Sequence, residues 1–402
     1  YTVKIDVAQG VGYEAQNDIS SDSWTFEIKR VQQKLTFQSD KVNKMYGEGS
    51  FTNPIKETDI KGGITYTSSN SSVATVDTNG TGTIKAASTE VVTITARTEG
   101  TTNYSSAEAS YTLTVAKKAI TVSGITAADK TYDGKTTATL DCSKATFGGK
   151  LDGDTLTVTA TGTFADKNVG EDKTVNITDL TLGGASVGNY QLSEEGQQTT
   201  ATATISPAKI FISTTGIKEK VYDGNANAEI TGVTITGLKG NDSLTEGTDY
   251  TVSSKFLNAS GTEESADAGQ NKPVIVEIEL RDSVTNYTFR NNSRRISEVS
   301  TGTIKQATPT VSANNITVTY DGKAIPADKI TGTADVGGTW AWKAGTAVTS
   351  VADSGDKKVV FTPNDSTNYT EVEKTITVTI KPATPSGEPG YTKITGSGKT
   401  LK

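Results

Sequence analysis

Histidine and cysteine, two side chains that often carry out chemistry in proteins, are nearly absent from this sequence. Its 402 residues include no histidine and a single cysteine, Cys142. Histidine is the usual general base near neutral pH and the commonest metal ligand, so its absence excludes Ser-His-Asp catalysis, Cys-His catalysis and histidine-containing zinc sites. One cysteine can form neither an internal disulfide nor a multi-cysteine metal site. The sequence therefore predicts no catalytic residue, no metal site and no cofactor.

Two tryptophans, Trp340 and Trp342, are the candidates for ligand binding. They are two positions apart, so both side chains project from one face if they lie in a β-strand. Coplanar indoles on an outward face would suit a carbohydrate ring. The alternative, which we favour, is that the pair forms the core of a repeat that is otherwise poor in large side chains.

Two other patterns have simpler explanations. Several aspartates offer the oxygen ligands that calcium prefers, but turn formation explains them without a metal: Asp152, Asp154, Asp166 and Asp172. The segment 395–400 has the Gly-x-Gly-Lys-Thr of a phosphate-binding loop, yet the leading glycine position is Lys393 and no helix can follow it. Neither pattern is interpreted as a site.

The elements that must position any site are predicted to be β-strands. Hydrophobic residues make up 33% of the chain and aromatic residues 6%, which suits several thin sandwich cores rather than one large core. Leu156, Val158 and Ala160 alternate with threonines, and Val274–Leu280 alternates in the same way. This period of two indicates strands with one solvated face. No amphipathic helix is evident, and Cys142 follows an apparent strand as a semi-buried structural thiol.

Charge and hydropathy exclude some partners. The formal net charge is −7 and the isoelectric point is about 5.0, without long runs of one sign. This balance argues against nucleic acid, because phosphates need lysine and arginine clusters. No apolar stretch approaches the ~20 residues of a membrane span, so this segment is not expected to insert into a membrane. The chain begins inside an apparent strand, and we interpret it as a piece of a longer protein.

Two tyrosine motifs recur and divide the chain into repeats. The first is a tyrosine before a turn, at Tyr46, Tyr132, Tyr222 and Tyr320. The second is Asn-Tyr, and an alternating strand that closes the repeat follows each copy, at Tyr104, Tyr190, Tyr287 and Tyr369. Several short strands per repeat, separated by Gly, Asn and Asp turns, indicate two-sheet sandwiches. We interpret both tyrosines as structural, the first packing at the sandwich edge and the second bonding back to the backbone as a corner tyrosine.

The predicted fold is all-β, with tandem immunoglobulin-like β-sandwich repeats in an elongated array. The joints pass from strand to strand in about four residues and cannot act as flexible tethers. The predicted boundaries are 1–32 for the closing part of an upstream repeat, 33–117, 118–207, 208–306 and 307–382 for the first to fourth repeats, and 383–402 for a linker and truncated tail.

The middle two repeats resemble the YDG domain of bacterial surface adhesins. The second matches through Thr131-Tyr132-Asp133-Gly134, Gly153-Asp154, 164–170 and Gly188-Asn189-Tyr190. The third keeps Val221-Tyr222-Asp223-Gly224 and Asn286-Tyr287 but departs in the middle, at 256–260. The fourth repeat is similar to the related MBG domain, and the first to bacterial Ig-like domains.

The resemblance implies a non-catalytic stalk or adhesion region of an exported protein on the bacterial cell surface. It implies no enzyme activity, because these families carry no catalytic residues. The array is expected to be monomeric, and its ligand, a host, matrix or glycan component, is unknown. The alternative function is a carbohydrate-binding accessory region of a surface glycan-processing protein, which an outward-facing Trp340 and Trp342 would favour.

Overall fold

The computed structural model describes residues 5–8, 11, 14, 16–19, 27–214 and 216–384. These residues fall into two compact units. The first holds the described residues up to 130 together with 135–205, and the second holds 131–134 together with the described residues from 206 onward. Over this part of the chain the structure is β-strands joined by turns, without an α-helix, which confirms the predicted class. The predicted tail at 383–402 lies almost entirely outside the described residues, as does much of 1–32.

The first repeat is a two-sheet sandwich. Two short strands, β1 (Ile5–Val7) and β2 (Gln16–Ile19), precede it and pair antiparallel. Its own strands are β3 (Lys41–Met45), β4 (Ser50–Thr52), β5 (Ile64–Ser68), β6 (Ala74–Val76), β7 (Thr81–Ile84), β8 (Ser88–Thr98) and β9 (Ala107–Ala116). One sheet has the order β3-β9-β8-β5 and the other β4-β7-β6. Leu35, Phe37 and Leu113 are among the side chains buried in this repeat.

The second repeat follows after a single residue, Lys117. Its strands are β10 (Lys118–Ser123), β11 (Thr126–Ala127), β12 (Lys130–Thr131), β13 (Thr137–Ala138), β14 (Leu140–Asp141), β15 (Thr146–Gly148), β16 (Thr157–Phe164), β17 (Gly170–Gly183), β18 (Tyr190–Leu192) and β19 (Thr200–Ser206). One sheet has the order β15-β10-β18, a second contains β19-β17-β16-β13, and β11 pairs with β14. A short 3-10 turn, Val187–Asn189, leads into β18.

The third and fourth repeats lie in the second unit. The third contains β20 (Ala208–Thr214), β21 (Lys220–Val221), β22 (Val233–Thr236), β23 (Tyr250–Phe256), β24 (Gly269–Leu280), β25 (Tyr287–Phe289) and β26 (Arg295–Lys305), in sheets β22-β20-β25 and β21-β26-β24-β23. The fourth contains β27 (Val311–Ala313), β28 (Ile316–Thr319), β29 (Gly332–Ala334), β30 (Gly338–Trp342), β31 (Gly355–Pro363) and β32 (Val372–Lys381), in sheets β27-β29 and β28-β32-β31-β30. Two 3-10 turns, Ala327–Lys329 and Val351–Asp353, complete it.

The predicted alternation of inward and outward side chains is confirmed. In β24, Val274, Val276 and Ile278 are buried, while Glu279 between the inward positions is exposed. In β16, Val158 is buried and its neighbouring threonines are exposed. Because side chains in a strand point alternately to opposite faces, this pattern places the apolar residues in the space between the sheets.

The strand that directly precedes the turn tyrosine pairs with the last strand of its repeat. β3 runs parallel to β9, β21 to β26 and β28 to β32. The strand that opens the repeat after a joint instead runs parallel to the strand that carries Asn-Tyr, as β10 does beside β18 and β20 beside β25. This topology brings both tyrosine motifs to the places where the chain passes from one repeat to the next.

A β-bulge marks the start of the long strand in the two middle repeats. The pairing register shifts between Gly170 and Lys173 in β17, and between Gly269 and Lys272 in β24. Asp172 has a φ of 47° and Asn271 a φ of 52°, in the left-handed region that Asp and Asn tolerate better than other side chains. At the bulge, the backbone departs from the regular hydrogen-bond pairing of the sheet.

Candidate functional site

The tyrosine that precedes each turn is fixed by the same backbone hydrogen bond in all four repeats. Its N–H donates to the carbonyl of the residue that ends the closing strand or directly follows it. The four pairs, with N···O distances of 2.8 to 2.9 Å, are Tyr46 with Ala116, Tyr132 with Ser206, Tyr222 with Lys305 and Tyr320 with Lys381. Each tyrosine therefore stands beside the point at which the chain leaves its repeat.

Three of these tyrosines stack against the Asn-Tyr tyrosine of the next repeat in sequence. The rings meet edge to face, with centroids 5.5 Å apart for Tyr46 and Tyr190, 5.4 Å for Tyr132 and Tyr287, and 5.4 Å for Tyr222 and Tyr369. Interplanar angles of 78° to 83° match the favoured T-shaped geometry of aromatic pairs. We call each such pair a tyrosine joint.

In the first joint one carboxylate binds both hydroxyls. Asp154 accepts from the hydroxyl of Tyr190 at 2.5 Å and from that of Tyr46 at 3.0 Å. The Tyr190 hydroxyl in turn accepts from the backbone N–H of Leu151 at 2.9 Å. The side chain of Leu151 also packs on Gly47, whose φ of 87° lies in the left-handed region that favours glycine. The turn after Tyr46 is thus shaped by the repeat that follows it.

The second joint repeats this arrangement, and all of its members lie in the second unit. Asp242 accepts from the hydroxyls of Tyr132 and Tyr287, each at 2.7 Å. The backbone N–H of Lys239 donates to the Tyr287 hydroxyl at 2.9 Å, as Leu151 does in the first joint. Tyr132 is 1% exposed and Tyr287 3% exposed, so the shared carboxylate satisfies two hydroxyls that water cannot reach.

The third joint keeps the ring contact but uses a different polar network. Among the described residues, no hydrogen bond links the hydroxyls of Tyr222 and Tyr369 to a shared carboxylate. Instead the buried side-chain amide of Asn368 donates to Asp365 at 2.9 Å and to Asp267, in the preceding repeat, at 3.2 Å. In this joint the carboxylates therefore accept hydrogen bonds from the adjacent asparagine instead of from the tyrosine hydroxyls.

The asparagine of Asn-Tyr provides the other half of the joint. Its side-chain oxygen accepts a backbone N–H of the preceding repeat, from Ala87 to Asn189 at 2.9 Å and from Ala268 to Asn368 at 2.7 Å. Ala87 and Ala268 each stand directly before a long strand, where the ladder is irregular. Because the strand pairing is irregular there, the backbone N–H of Ala87 or Ala268 can donate a hydrogen bond outside its own sheet. Both residues of Asn-Tyr therefore contact the preceding repeat.

The joints shift the pKa values of their members in opposite directions. Burial, and then the hydrogen bond to Asp154, raises the pKa of Tyr190 to about 12. Burial also raises the pKa of Tyr287. The hydrogen bond from Tyr190 lowers the pKa of Asp154 below its ordinary range. The joint thus favours neutral tyrosines around an ionised aspartate.

These shifts predict a pH window for the first joint. A raised tyrosine pKa contributes stability that is present below the unfolded value of ~10 and is lost as pH rises toward about 12. The lowered pKa of Asp154 contributes stability that is present above the unfolded value of ~3.9 and is lost as pH falls through the folded value. We expect the contribution of the joint to be constant between these limits. Tyrosinate absorbance during an alkaline titration measures the upper limit, and Tyr190→Phe should reduce the late-titrating component by one tyrosine, because burial also raises the pKa values of Tyr287 and Tyr111. An unchanged titration of this variant would contradict the assignment.

Both candidate tryptophans lie on one strand, β30, and are half-buried. Trp340 meets Phe361 edge on, with ring centroids 5.2 Å apart, and the two residues are paired across the strands. The indole N–H of Trp342 donates to the carbonyl of Ile325 at 2.8 Å. Both indoles pack against the buried cluster of the fourth repeat. The structure therefore brings the pair together on one face, and its role in ligand binding stays a prediction.

The Trp342 hydrogen bond gives a testable stability effect. Trp342→Phe keeps an aromatic ring but removes the donor to Ile325, so we expect the free energy of unfolding of the fourth repeat to fall by about 1 kcal/mol. Tryptophan fluorescence during denaturation measures this in a Trp24→Phe background, in which Trp340 is the remaining indole. Trp340→Phe is the matched control, since it leaves the Trp342 hydrogen bond in place. Equal losses in the two variants would contradict a specific contribution from that bond.

Two of the other aspartates singled out from the sequence have protein partners. Asp154 belongs to the first joint, and Asp166 pairs with Lys173 at 2.8 Å. Asp172 occupies the bulge of β17. Cys142 is half-buried against the core of the second repeat, as expected. Within the described ranges, no cluster of three or more Cys, Asp or Glu side chains could hold a metal ion. The segment 395–400 lies outside the described residues.

No helix in the described part of the chain is both long and apolar enough to cross a membrane.

Comparison with known families identifies the middle of the chain. The YDG domain family matches residues 115–201 and 206–294. The chain contains two tandem YDG domains. The matched segments begin within a few residues of the predicted second and third repeats, and each includes both tyrosine motifs of its repeat. None of the curated proteins with which the sequence was compared matches it.

Several solved structures are similar to this chain at very low identity. Drosophila N-cadherin EC1-4 is 9% identical, with 88% of this chain and 100% of that chain covered and a TM-score of 0.22. Immunoglobulin domains 1-5 of Sidekick-1 are 9% identical, with coverages of 89% and 80% and a TM-score of 0.22. Domains 4-9 of the surface layer protein SbsC are 12% identical, with coverages of 86% and 65% and a TM-score of 0.16.

The sequence identified the tyrosines as structural but not their partners across the joints. The corner interpretation is confirmed for Tyr190 and Tyr287, whose hydroxyls bond to a backbone N–H of their own repeat. The contact with the preceding repeat was missed, as were the shared carboxylates Asp154 and Asp242. A usable signal was present, because the Gly-Asp of 153–154 and the Asn-Asp of 241–242 stand at equivalent places after an alternating strand.

Proposed function

We propose that this chain is a non-catalytic stalk or adhesion region of an exported bacterial surface protein. The observation that carries the proposal is the tyrosine joint, which occurs three times and fixes the turn of one repeat against the Asn-Tyr of the next. A stalk must transmit force without bending freely at its joints, and a joint in which two tyrosine rings pack edge to face meets that need. Two YDG domains within a β-sandwich array fit a non-catalytic repeat region.

A short connection supports the same function. Within the first unit, one residue, Lys117, separates β9 from β10. A connection of one residue cannot act as a flexible tether between the first and second repeats.

Force spectroscopy on the whole chain tests the stalk function. With the chain held between two handles, we expect separate unfolding steps, one for each repeat, because each repeat has its own core. The variant Tyr46→Ala should show the same number of steps with a more compliant rise before the first one. Extension in a single step at low force would contradict a stalk.

A carbohydrate-binding accessory region is the second candidate. The placement of Trp340 and Trp342 on one face of β30, each half-buried, favours it. Binding of the full chain to a glycan array, with loss of binding in Trp340→Phe but retention in Phe211→Ala, would support this candidate. Phe211 is exposed and lies in the third repeat, so it controls for nonspecific aromatic contacts. If the chain bound none of the glycans on the array, this candidate function would be excluded.

A further inference from the structure

A groove with a volume of about 750 Å³ lies beside the third tyrosine joint, and all of its residues belong to the second unit. The third repeat contributes the bulged start of β24, the end of β26 and Glu219, which precedes β21. The fourth repeat contributes Thr367 and Thr370, which flank its Asn-Tyr motif. The volume lies within the ~300 to 1,000 Å³ of small-molecule sites. The groove can therefore hold a ligand that contacts both repeats.

Hydrogen bonds at the third joint hold the two sides of the groove together. Ala268, which lines the groove, donates its N–H to the side-chain oxygen of Asn368 at 2.7 Å. The side-chain amide of Gln306, also in the lining, donates to the carbonyls of Ser366 at 2.8 Å and Thr367 at 3.2 Å. Because these contacts fix the groove before a ligand arrives, binding does not have to order it, which favours affinity.

The lining offers polar side chains without a net charge. Its charged residues, Glu219 and Lys305, form an ion pair with each other at 2.6 Å. Asp267 and Asp365 at the joint are outside the lining and accept the side-chain amide of Asn368. Four polar side chains of the lining form no hydrogen bond with any described residue: Gln270, Asn271, Thr303 and Thr367. Amides and hydroxyls each offer a donor and an acceptor, so they match an uncharged ligand that is rich in hydroxyls.

Two other kinds of ligand suit the groove less well. An apolar ligand needs a mostly hydrophobic lining, whereas Ile304 and Ala268 are the apolar side chains of a largely polar set. An extended peptide adds to a free strand edge through its backbone. The edge strand next to the groove, β21, is only two residues long and pairs with the end of β26. A hydroxyl-rich ligand needs neither feature.

We propose that this groove binds an uncharged oligosaccharide, which the amides of Gln270 and Asn271 contact from the third repeat and the hydroxyl of Thr367 from the fourth. The proposal rests on the adhesion role proposed above and supplies a ligand class for it, at a site separate from Trp340 and Trp342. Because both repeats line the groove, the ligand binds only while the third tyrosine joint is closed. Binding therefore stabilises the closed joint.

Binding of the full chain to an array of neutral and anionic oligosaccharides tests the proposal, followed by calorimetric titration of the neutral oligosaccharide that binds best. We expect binding that Gln270→Ala and Thr367→Ala each weaken about fivefold, the effect of one lost hydrogen bond. Both side chains are exposed, so both variants should retain the fold. Gln191→Ala, the same substitution at an exposed glutamine of the second repeat, is the matched control and should bind like the unmodified chain.

Opening the joint provides an independent test. Tyr222→Ala removes the ring contact with Tyr369 but no residue of the lining, so it should weaken binding as well. Undiminished binding in all three variants would overturn the proposal. Binding confined to anionic oligosaccharides, or to peptides on a parallel array, would also overturn it, as would no binding at all.

The tryptophan pair gives the contrasting outcome. Loss of glycan binding in Trp340→Phe with full binding in Gln270→Ala would overturn the groove as the site and support the tryptophan face instead. The stalk function is tested separately, by the unfolding steps under force, and does not depend on this result.

Discussion

Replacing Tyr190 by alanine is expected to lower the free energy of unfolding of the second repeat by about 3 to 5 kcal/mol, the usual cost of removing a large buried aromatic side chain. Tyr190 is 1% exposed, stacks on Tyr46 and bonds through its hydroxyl to Asp154 and Leu151. The alanine variant loses all three contacts and leaves a cavity. Hydrogen exchange across β10 and β18 measures the loss within this repeat.

A double-mutant cycle separates the joint from the core. Tyr46 is half-buried and belongs to the preceding repeat, so Tyr46→Ala should cost less than Tyr190→Ala. The coupling between the two substitutions should be about 0.5 to 1.5 kcal/mol, the value typical of an edge-to-face aromatic pair. The control Tyr190→Phe retains the ring contact and should retain most of this coupling. Strictly additive losses would mean that the two rings do not stabilise each other.

Replacing Asp242 by leucine should be the most damaging polar substitution. Its carboxylate accepts from Tyr132 and Tyr287, whose side chains are nearly inaccessible to water. Leucine would leave two buried hydroxyls without this acceptor, at a cost of about 1 to 3 kcal/mol for each. The expected loss is therefore about 2 to 6 kcal/mol, measured by chemical denaturation of the full chain with hydrogen exchange at β20 and β25.

Asp242→Asn is the matched control for this prediction. The amide is nearly the same size and its oxygen can still accept a hydrogen bond, so the asparagine variant should lose much less stability than the leucine variant. It also removes the negative charge of the acceptor. Because a hydrogen bond to an ionised acceptor is stronger than one to a neutral acceptor, the asparagine variant should still be less stable than the unmodified chain. Equal stability of the leucine variant and the unmodified chain would show that the hydroxyls find other acceptors.

Much of the fold could be predicted because its signals are local. Alternation in Val274–Leu280 decides which side chains face the core, and one strand of sequence suffices to detect it. The closing strands are detected in the same way, and Ile376–Ile380 lies within β32 as expected. The tyrosine motifs recur along the chain, and counting them predicts its division into repeats.

The joints could not be predicted because their contacts are not local. Tyr46 and Tyr190 are far apart in sequence, and neither residue type nor spacing shows that their rings meet. The same sequence pattern is expected for two kinds of tyrosine. In one kind the hydroxyl forms a hydrogen bond within its own repeat, and in the other the ring packs against a tyrosine of the neighbouring repeat. The Trp pair has the same ambiguity, because spacing by two places both indoles on one face without indicating which face is covered.

Electron–electron double resonance within the first unit tests the central claim most directly. Spin labels at Thr67→Cys in β5 and Thr159→Cys in β16, in a Cys142→Ser background, would report the distance between the first and second repeats at two exposed strand positions. We predict a narrow distance distribution that broadens clearly in Tyr46→Ala, because that substitution opens the first tyrosine joint. A distribution that is equally narrow with and without Tyr46 would contradict the claim that paired tyrosines fix one repeat against the next.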